Sequence, residues 1–133
     1  MKSYLAKGIR YERKVAKAYK SACPPRSKVL INQWFEFEDQ VGYGNAQVDF
    51  VHILRDRALV FEVKLTAFEG VEDELFHLYC PLIENQFGVP AIPVQVFQNS
   101  TREMVRKLDD RISSAEELTS ARPGRIYHWH LIL

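Results

Sequence analysis

The sequence predicts an α/β fold, a mixed central sheet flanked by helices, on three observations. A helical pattern opens the chain. Three strand-like runs follow, joined by connections too short for anything but antiparallel neighbours. A second helical stretch then separates these from a further strand, which permits a parallel pairing. At 133 residues the chain suits one domain, 1–133, with a core over about 4–98 and a C-terminal extension over about 99–133.

The first helix is expected over Tyr4–Ser21, with Ser3 as N-cap and Pro24-Pro25 as its stop. Leu5, Ile9, Ala16 and Tyr19 fall on one helical stripe, and position 12, on the same stripe, is Glu12. The other faces carry cations. Residues 1–28 hold nine Lys and Arg side chains and the single carboxylate Glu12, whereas the rest of the chain holds nine basic and sixteen acidic side chains. The net charge of +1 therefore hides a basic front end, which implies a polyanionic partner met on one face.

Strands are expected over Lys28–Glu38, Ala46–Leu54 and Ala58–Leu65. The turn Asp39–Asn45, with Gly42 and Gly44, joins the first two, and Arg55-Asp56-Arg57 joins the last two. Gly70–Phe87 reads as a helix with Leu75, Leu78, Tyr79, Leu82 and Gln86 on one side; Pro81 should kink or split it and Gly88 end it. Ala91–Gln98 is a strand. Ser100–Glu103 forms a capping box opening a helix to about Arg111, and Ser114–Glu117 repeats that pattern for a further helical turn. Pro123-Gly124 turns the chain, and Ile126–Leu133 closes it as a strand, giving the order α-β-β-β-α-β-α-β.

No apolar run approaches the roughly 20 residues needed to span a bilayer. The opening Met1–Lys7 lacks the apolar segment of a signal peptide, which predicts a cytoplasmic protein. Cys23 and Cys80 match neither a disulfide pattern nor a metal-ligand spacing and are expected as free thiols in a reducing compartment.

Alternation puts Gln47 and Asp49 on one face of the second strand and Glu62 and Lys64 on one face of the third, with Phe61, Val63 and Leu65 opposite. A strand this apolar should be central, where charges are costly unless paired or bound to a metal. Phosphodiester hydrolysis accounts for them. Asp49 and Glu62 on rigid strands can hold Mg²⁺ through oxygen, and Lys64 can orient a water and offset developing charge. Glu12 can steer the ion's hydration shell through water. Arg10, Arg13, Lys14 and Lys17 are expected phosphate contacts, and Tyr43 in the glycine loop a stacking partner for bases, with Trp34 and Phe35 in the core. His128 and His130 share a strand face and read as ordinary polar residues opposite Tyr127, Trp129 and Leu131, not as half of a metal site. His52 and His77 have no evident partner, and Gln86 and Gln95 are candidate polar neighbours of the site.

The segments Gly8-Ile-Arg-Tyr-Glu12, Gln47-Val-Asp49-Phe and Phe61-Glu62-Val-Lys64 resemble the motifs of the PD-(D/E)XK nuclease superfamily over about residues 4–98. The resemblance implies a restriction-endonuclease-like core in the order α-β-β-β-α-β, followed here by a C-terminal helix and strand. It implies DNA cleavage with Mg²⁺, for which Mn²⁺ can substitute, leaving a 5′-phosphate. It makes Asp49, Glu62 and the Val63 carbonyl metal ligands, Lys64 the catalytic lysine, and Glu12 the helix carboxylate acting through water. Val48 stands where the superfamily usually has proline. The Gly-x-x-Tyr-Glu opening is similar to archaeal-type Holliday junction resolvases and small phage endonucleases. That implies a role in DNA recombination, repair or phage DNA processing, in a bacterial or phage-infected cell. A junction resolvase would act as a homodimer, because a four-way junction has two-fold symmetry. Gly42-Tyr-Gly-Asn45 lacks the serine that resolvases often carry in a mobile loop. A non-catalytic DNA-binding or assembly module is the competing class.

Overall fold

The computed structural model describes residues 2–67, 70–101, 103 and 110–133, without the side chains of residues 2–4 and 72. Helix α1 spans Lys2–Ala22. It buries Tyr11, Val15, Ala16 and Tyr19, one stripe of an amphipathic helix. The expected stripe is corrected at its start: Leu5 and Ile9 are 68% and 40% exposed. They line a cleft with Gly8, Glu12 and residues Val63 to Thr66 instead of entering the core. Glu12 is half-buried at the border between the two faces.

Among the described residues the sheet has six strands in the order β1-β2-β3-β4-β6-β5. These are β1 (Lys28–Asp39), β2 (Gly42–Ile53), β3 (Ala58–Thr66), β4 (Ala91–Asn99), β5 (Arg111–Ile112) and β6 (Tyr127–His130). The first three form an antiparallel meander; β3, β4, β6 and β5 are mutually parallel, so the sheet is mixed. The expected loop at 39–45 shrinks to Gln40 and Val41, because Asp39 Oδ1 accepts from the Val41 and Gly42 amides at 2.8 and 3.1 Å. Gly42 takes φ 139, which a side chain would resist, and Gly44 lies under the Phe37 ring across the hairpin.

Between β3 and β4 run helix α2 (Val71–Glu74), a π turn (Leu75–Tyr79) and helix α3 (Cys80–Phe87), ended by Gly88 at φ 70. Pro81 has no amide hydrogen and cannot continue an ordinary helical ladder. The widened turn precedes it, and the Cys80 amide bonds the Leu75 carbonyl across five residues. The helix expected from Ser100 falls largely outside the described residues; Glu103 is helical, and Arg111, its expected end, belongs to β5. The Ser114–Glu117 capping box is present and opens a 3₁₀ turn, Ala115–Ser120. The final strand stops at His130. It lies between β4 and β5.

Two apolar layers sandwich the sheet. Under α1, Phe50, Phe61, Val63, Val94 and Trp129 pack against Tyr11, Val15 and Tyr19. On the other face Val48, Val51 and Val60 meet Leu75 and Ile83. Phe50 and Phe61 stack at 4.2 Å, and Tyr19 lies 4.7 Å from Phe61. Tyr19 Oη also shares a 2.6 Å hydrogen bond with buried His52 Nδ1, the partner the sequence left unnamed. Tyr19→Phe strips that nitrogen of its partner at nearly constant volume and should cost about 1–3 kcal/mol in urea unfolding. A loss near zero would mean that His52 is otherwise satisfied. Cys23 and Cys80 are free thiols, and no helix among the described residues is long and apolar enough to cross a membrane.

Candidate active site

The site arises where two strands part. Pairing of β2 with β3 runs only from Ile53↔Ala58 to Phe50↔Phe61. Beyond that point β3 continues beside β4 to Thr66↔Asn99, and β2 continues with β1 to the hairpin tip at Asp39↔Gly42. The β1–β2 hairpin thus leaves the sheet as an arm and opens a gap beside β3. Asn32 adopts φ 51 at this fork. Strict alternation would put Val48 and Phe50 on one face, yet they pack in opposite layers, so β2 switches faces at Asp49. Gln47 and Asp49, expected on one face, make different contacts. Gln47 Nε2 donates to the Asn32 carbonyl at 3.0 Å, while Asp49 turns toward β3 and its Oδ2 accepts the Val63 amide at 2.7 Å.

Parting of the strands leaves the Val63 N–H without a ladder partner on β2, and the Asp49 carboxylate replaces it. Glu62, 5% exposed, sits on the next residue, with Oε1 3.4 Å from Lys64 Nζ. Its other oxygen, Oε2, is buried without a hydrogen-bond partner among the described residues. Burial pushes the Asp49 carboxyl far above the usual range, reinforced by Glu62 and Glu12 and only partly relieved by Val63. Burial raises Glu62 too, with Lys64 pulling down and Glu74 and Glu12 pushing up. Burial alone would lower Lys64, but Glu62, then Asp49 and Glu74, outweigh it and hold the ammonium above its ordinary value. The four expected residues Glu12, Asp49, Glu62 and Lys64 are thus coupled in one place, with excess negative charge.

Among the described residues no three His, Cys, Asp or Glu side chains form a ready-made metal cage. A hard divalent ion asks less of a protein: one or two carboxylates, a carbonyl, and water. The unpartnered Glu62 Oε2 and the charge-strained Asp49 fit such an ion, which would remove the cost of burying them. The Val63 carbonyl is the neighbouring backbone oxygen, and Glu12 would act at longer range.

A groove of about 370 Å³ leads into the gap, lined by Glu12, Arg13, Lys17, Lys20, Asn32 and Asp49 among others. Of the expected phosphate contacts, Arg13 and Lys17 line it. Lys14 lines a shallower hollow beside Leu133, and Arg10 is exposed outside both. Lys20, on the same face three residues past Lys17, completes the basic wall and was not singled out from the sequence. Glu74 and Tyr79 were also missed. Burial, then Glu62, Glu74 and Asp49, pushes the Tyr79 phenol up. These two are five residues apart, and the π turn brings them together, a spacing that no ordinary helical periodicity would single out. Gln95 is fully buried in register between Glu62 and His128, whereas Gln86 is exposed on α3. His128 is buried, while His130 stacks on Phe97 and bonds the Gln98 carbonyl, a structural role. Tyr43 is 85% exposed, across from Glu38 at the arm's end.

Comparison with known proteins finds no matching family model, no matching curated protein and no matching solved structure.

Proposed function

We propose that this chain is a divalent-metal-dependent DNA endonuclease with a PD-(D/E)XK-type core, hydrolysing phosphodiester bonds with Mg²⁺, or Mn²⁺ in its stead. The observation that carries the reading is the strand fork, where Asp49, Glu62 and Lys64 converge with Glu12 and one buried carboxylate oxygen has no hydrogen-bond partner among the described residues. Such a concentration of buried charge is costly for a fold and is expected where a cation and a phosphate are to be held.

Asp49 and Glu62 would hold the ion with the Val63 carbonyl, and Glu12 would orient its water shell. Such an ion supplies charge neutralisation at the phosphate and acidifies a water for attack. Lys64, kept protonated by Glu62, acts as a fixed cation that orients that water and offsets charge on the phosphate, not as a proton acceptor. Arg13, Lys17 and Lys20 bind the backbone leading into the gap without reading sequence. Val63 and Phe61, on the opposite face of β3, anchor the catalytic strand in the core beneath α1.

The test is a cleavage panel of labelled duplex, single-stranded, forked and four-way-junction DNA, with Mg²⁺, Mn²⁺ or EDTA. Cutting that needs the metal, and that falls about a hundredfold or more in Lys64→Ala, is expected. DNA binding without cutting under every condition would sink the proposal in favour of a non-catalytic module.

A further inference from the structure

Trp34 is 63% exposed, although its apolar bulk marked it for the core. It lies on β1 just past Asn32, where the hairpin arm leaves the sheet. Its neighbours Phe35 and Phe37 pack into the layer shared with α3, so alternation turns Trp34 to the opposite face, across from Gln47. That is the α1 side of the sheet. Ile31 and Asn32, three and two residues before it, line the basic groove with Arg13, Lys17 and Lys20. A nucleic-acid backbone lying against those cations would therefore carry its bases toward the indole.

The arm also bounds the path. Glu36, Glu38 and Asp39 are exposed farther along it and would repel phosphates. The favourable route crosses the base of the arm at Trp34 and avoids its tip, where Tyr43 faces Glu38. Inside a duplex each base is already stacked on both faces; only an unpaired base offers a free face to an aromatic ring. We infer that Trp34 is a stacking platform for an unpaired base, and that the substrate class is DNA with a single-stranded segment beside the scissile phosphate. This rests on the nuclease reading for the chemistry, but the stacking itself can be tested without it.

The chain has two tryptophans, and the other, Trp129, is buried, so a ligand-dependent fluorescence change reports Trp34. In EDTA, oligo-dT and a forked duplex with single-stranded arms should quench the emission, and a blunt duplex should not. Trp34→Ala should weaken binding of the fork about tenfold or more and leave the blunt duplex unchanged, with Trp34→Phe retaining most of the affinity. With Mg²⁺ the wild-type protein should cut the fork faster than the blunt duplex, and Trp34→Ala should lose that preference. Equal quenching by the blunt duplex, absence of quenching by oligo-dT, or an intact fork preference in Trp34→Ala would overturn the inference. Quenching as expected from a protein that cuts nothing would leave the stacking platform standing and remove the nuclease reading alone.

Discussion

Asp49→Asn should abolish cleavage while making the metal-free protein more stable. The Asp49 carboxyl is buried beside Glu62 and Glu12, and its pKa rises from an ordinary 3.8 to about 9; that of Glu62 rises from 4.5 to about 7. A carboxyl whose folded pKa lies above its unfolded value favours the fold while protonated. Its contribution is fully present below the unfolded pKa and is lost as pH rises toward the folded one. The metal-free protein should therefore lose stability between about pH 4 and pH 9, the reverse of a protein held by salt-bridged carboxylates. Asparagine keeps an oxygen able to accept from the Val63 amide and removes the ionisable group. Its gain at neutral pH should be about 1–3 kcal/mol, or a few degrees in Tm, with a flatter pH profile. Mg²⁺ should raise the wild-type Tm, more strongly at higher pH, and leave the variant nearly unmoved. Activity should fall about a thousandfold or more, because the proposed reading makes Asp49 a metal ligand and the substitution removes its charge. Thermal scans across pH with and without Mg²⁺, beside the cleavage assay, check both halves. A destabilised Asp49→Asn protein would show that the carboxylate supports the fold by more than its Val63 hydrogen bond.

Phe61→Ala should be the most damaging single substitution to stability. Its ring is fully buried, stacked on Phe50 at 4.2 Å and in contact with Tyr19 at 4.7 Å, on the strand that carries Glu62 and Lys64. Truncating a buried phenylalanine costs about 3–5 kcal/mol, transfer and cavity together. Against a typical total of about 5–15 kcal/mol, that removes a large share of the stability of a domain this size. Urea unfolding should show a lower midpoint with an unchanged slope. Where the variant remains folded it should still cut, since no catalytic group has been removed. A loss of less than about 1 kcal/mol would mean that the aromatic layer under α1 is loosely packed. The two substitutions lie close together and have opposite expected signs, which separates the cost of chemistry from the strength of the scaffold.

The stability rise expected for Asp49→Asn measures what burying that carboxyl beside Glu62 and Glu12 costs the fold.

Local patterns decided much of this chain. The amphipathic first helix, the three alternating runs and their tight connections, the Ser114–Glu117 capping box and Gly88 each act within a few residues, so their outcome is written in the adjacent sequence. The same holds for Glu62 and Lys64, set two apart on one strand and bridged at 3.4 Å. The strand fork was not legible. Val48 and Phe50 alternate together in sequence but pack in opposite layers, where β2 loses β3 as a partner and the Asp49 carboxylate takes the Val63 amide. Trp34 and Leu5 carry the apolar bulk of core residues and are exposed, since what buries a side chain is the element packed over it. Glu74 joins Tyr79 through a π turn set ahead of Pro81, and Lys20 joins Arg13 and Lys17 against Asn32 and Asp49 across a groove. Each of these depends on contacts between distant segments. The sequence by itself therefore determined the elements and the paired charges on β3, and only the tertiary structure decided where the strands part and which side chains meet beside those charges.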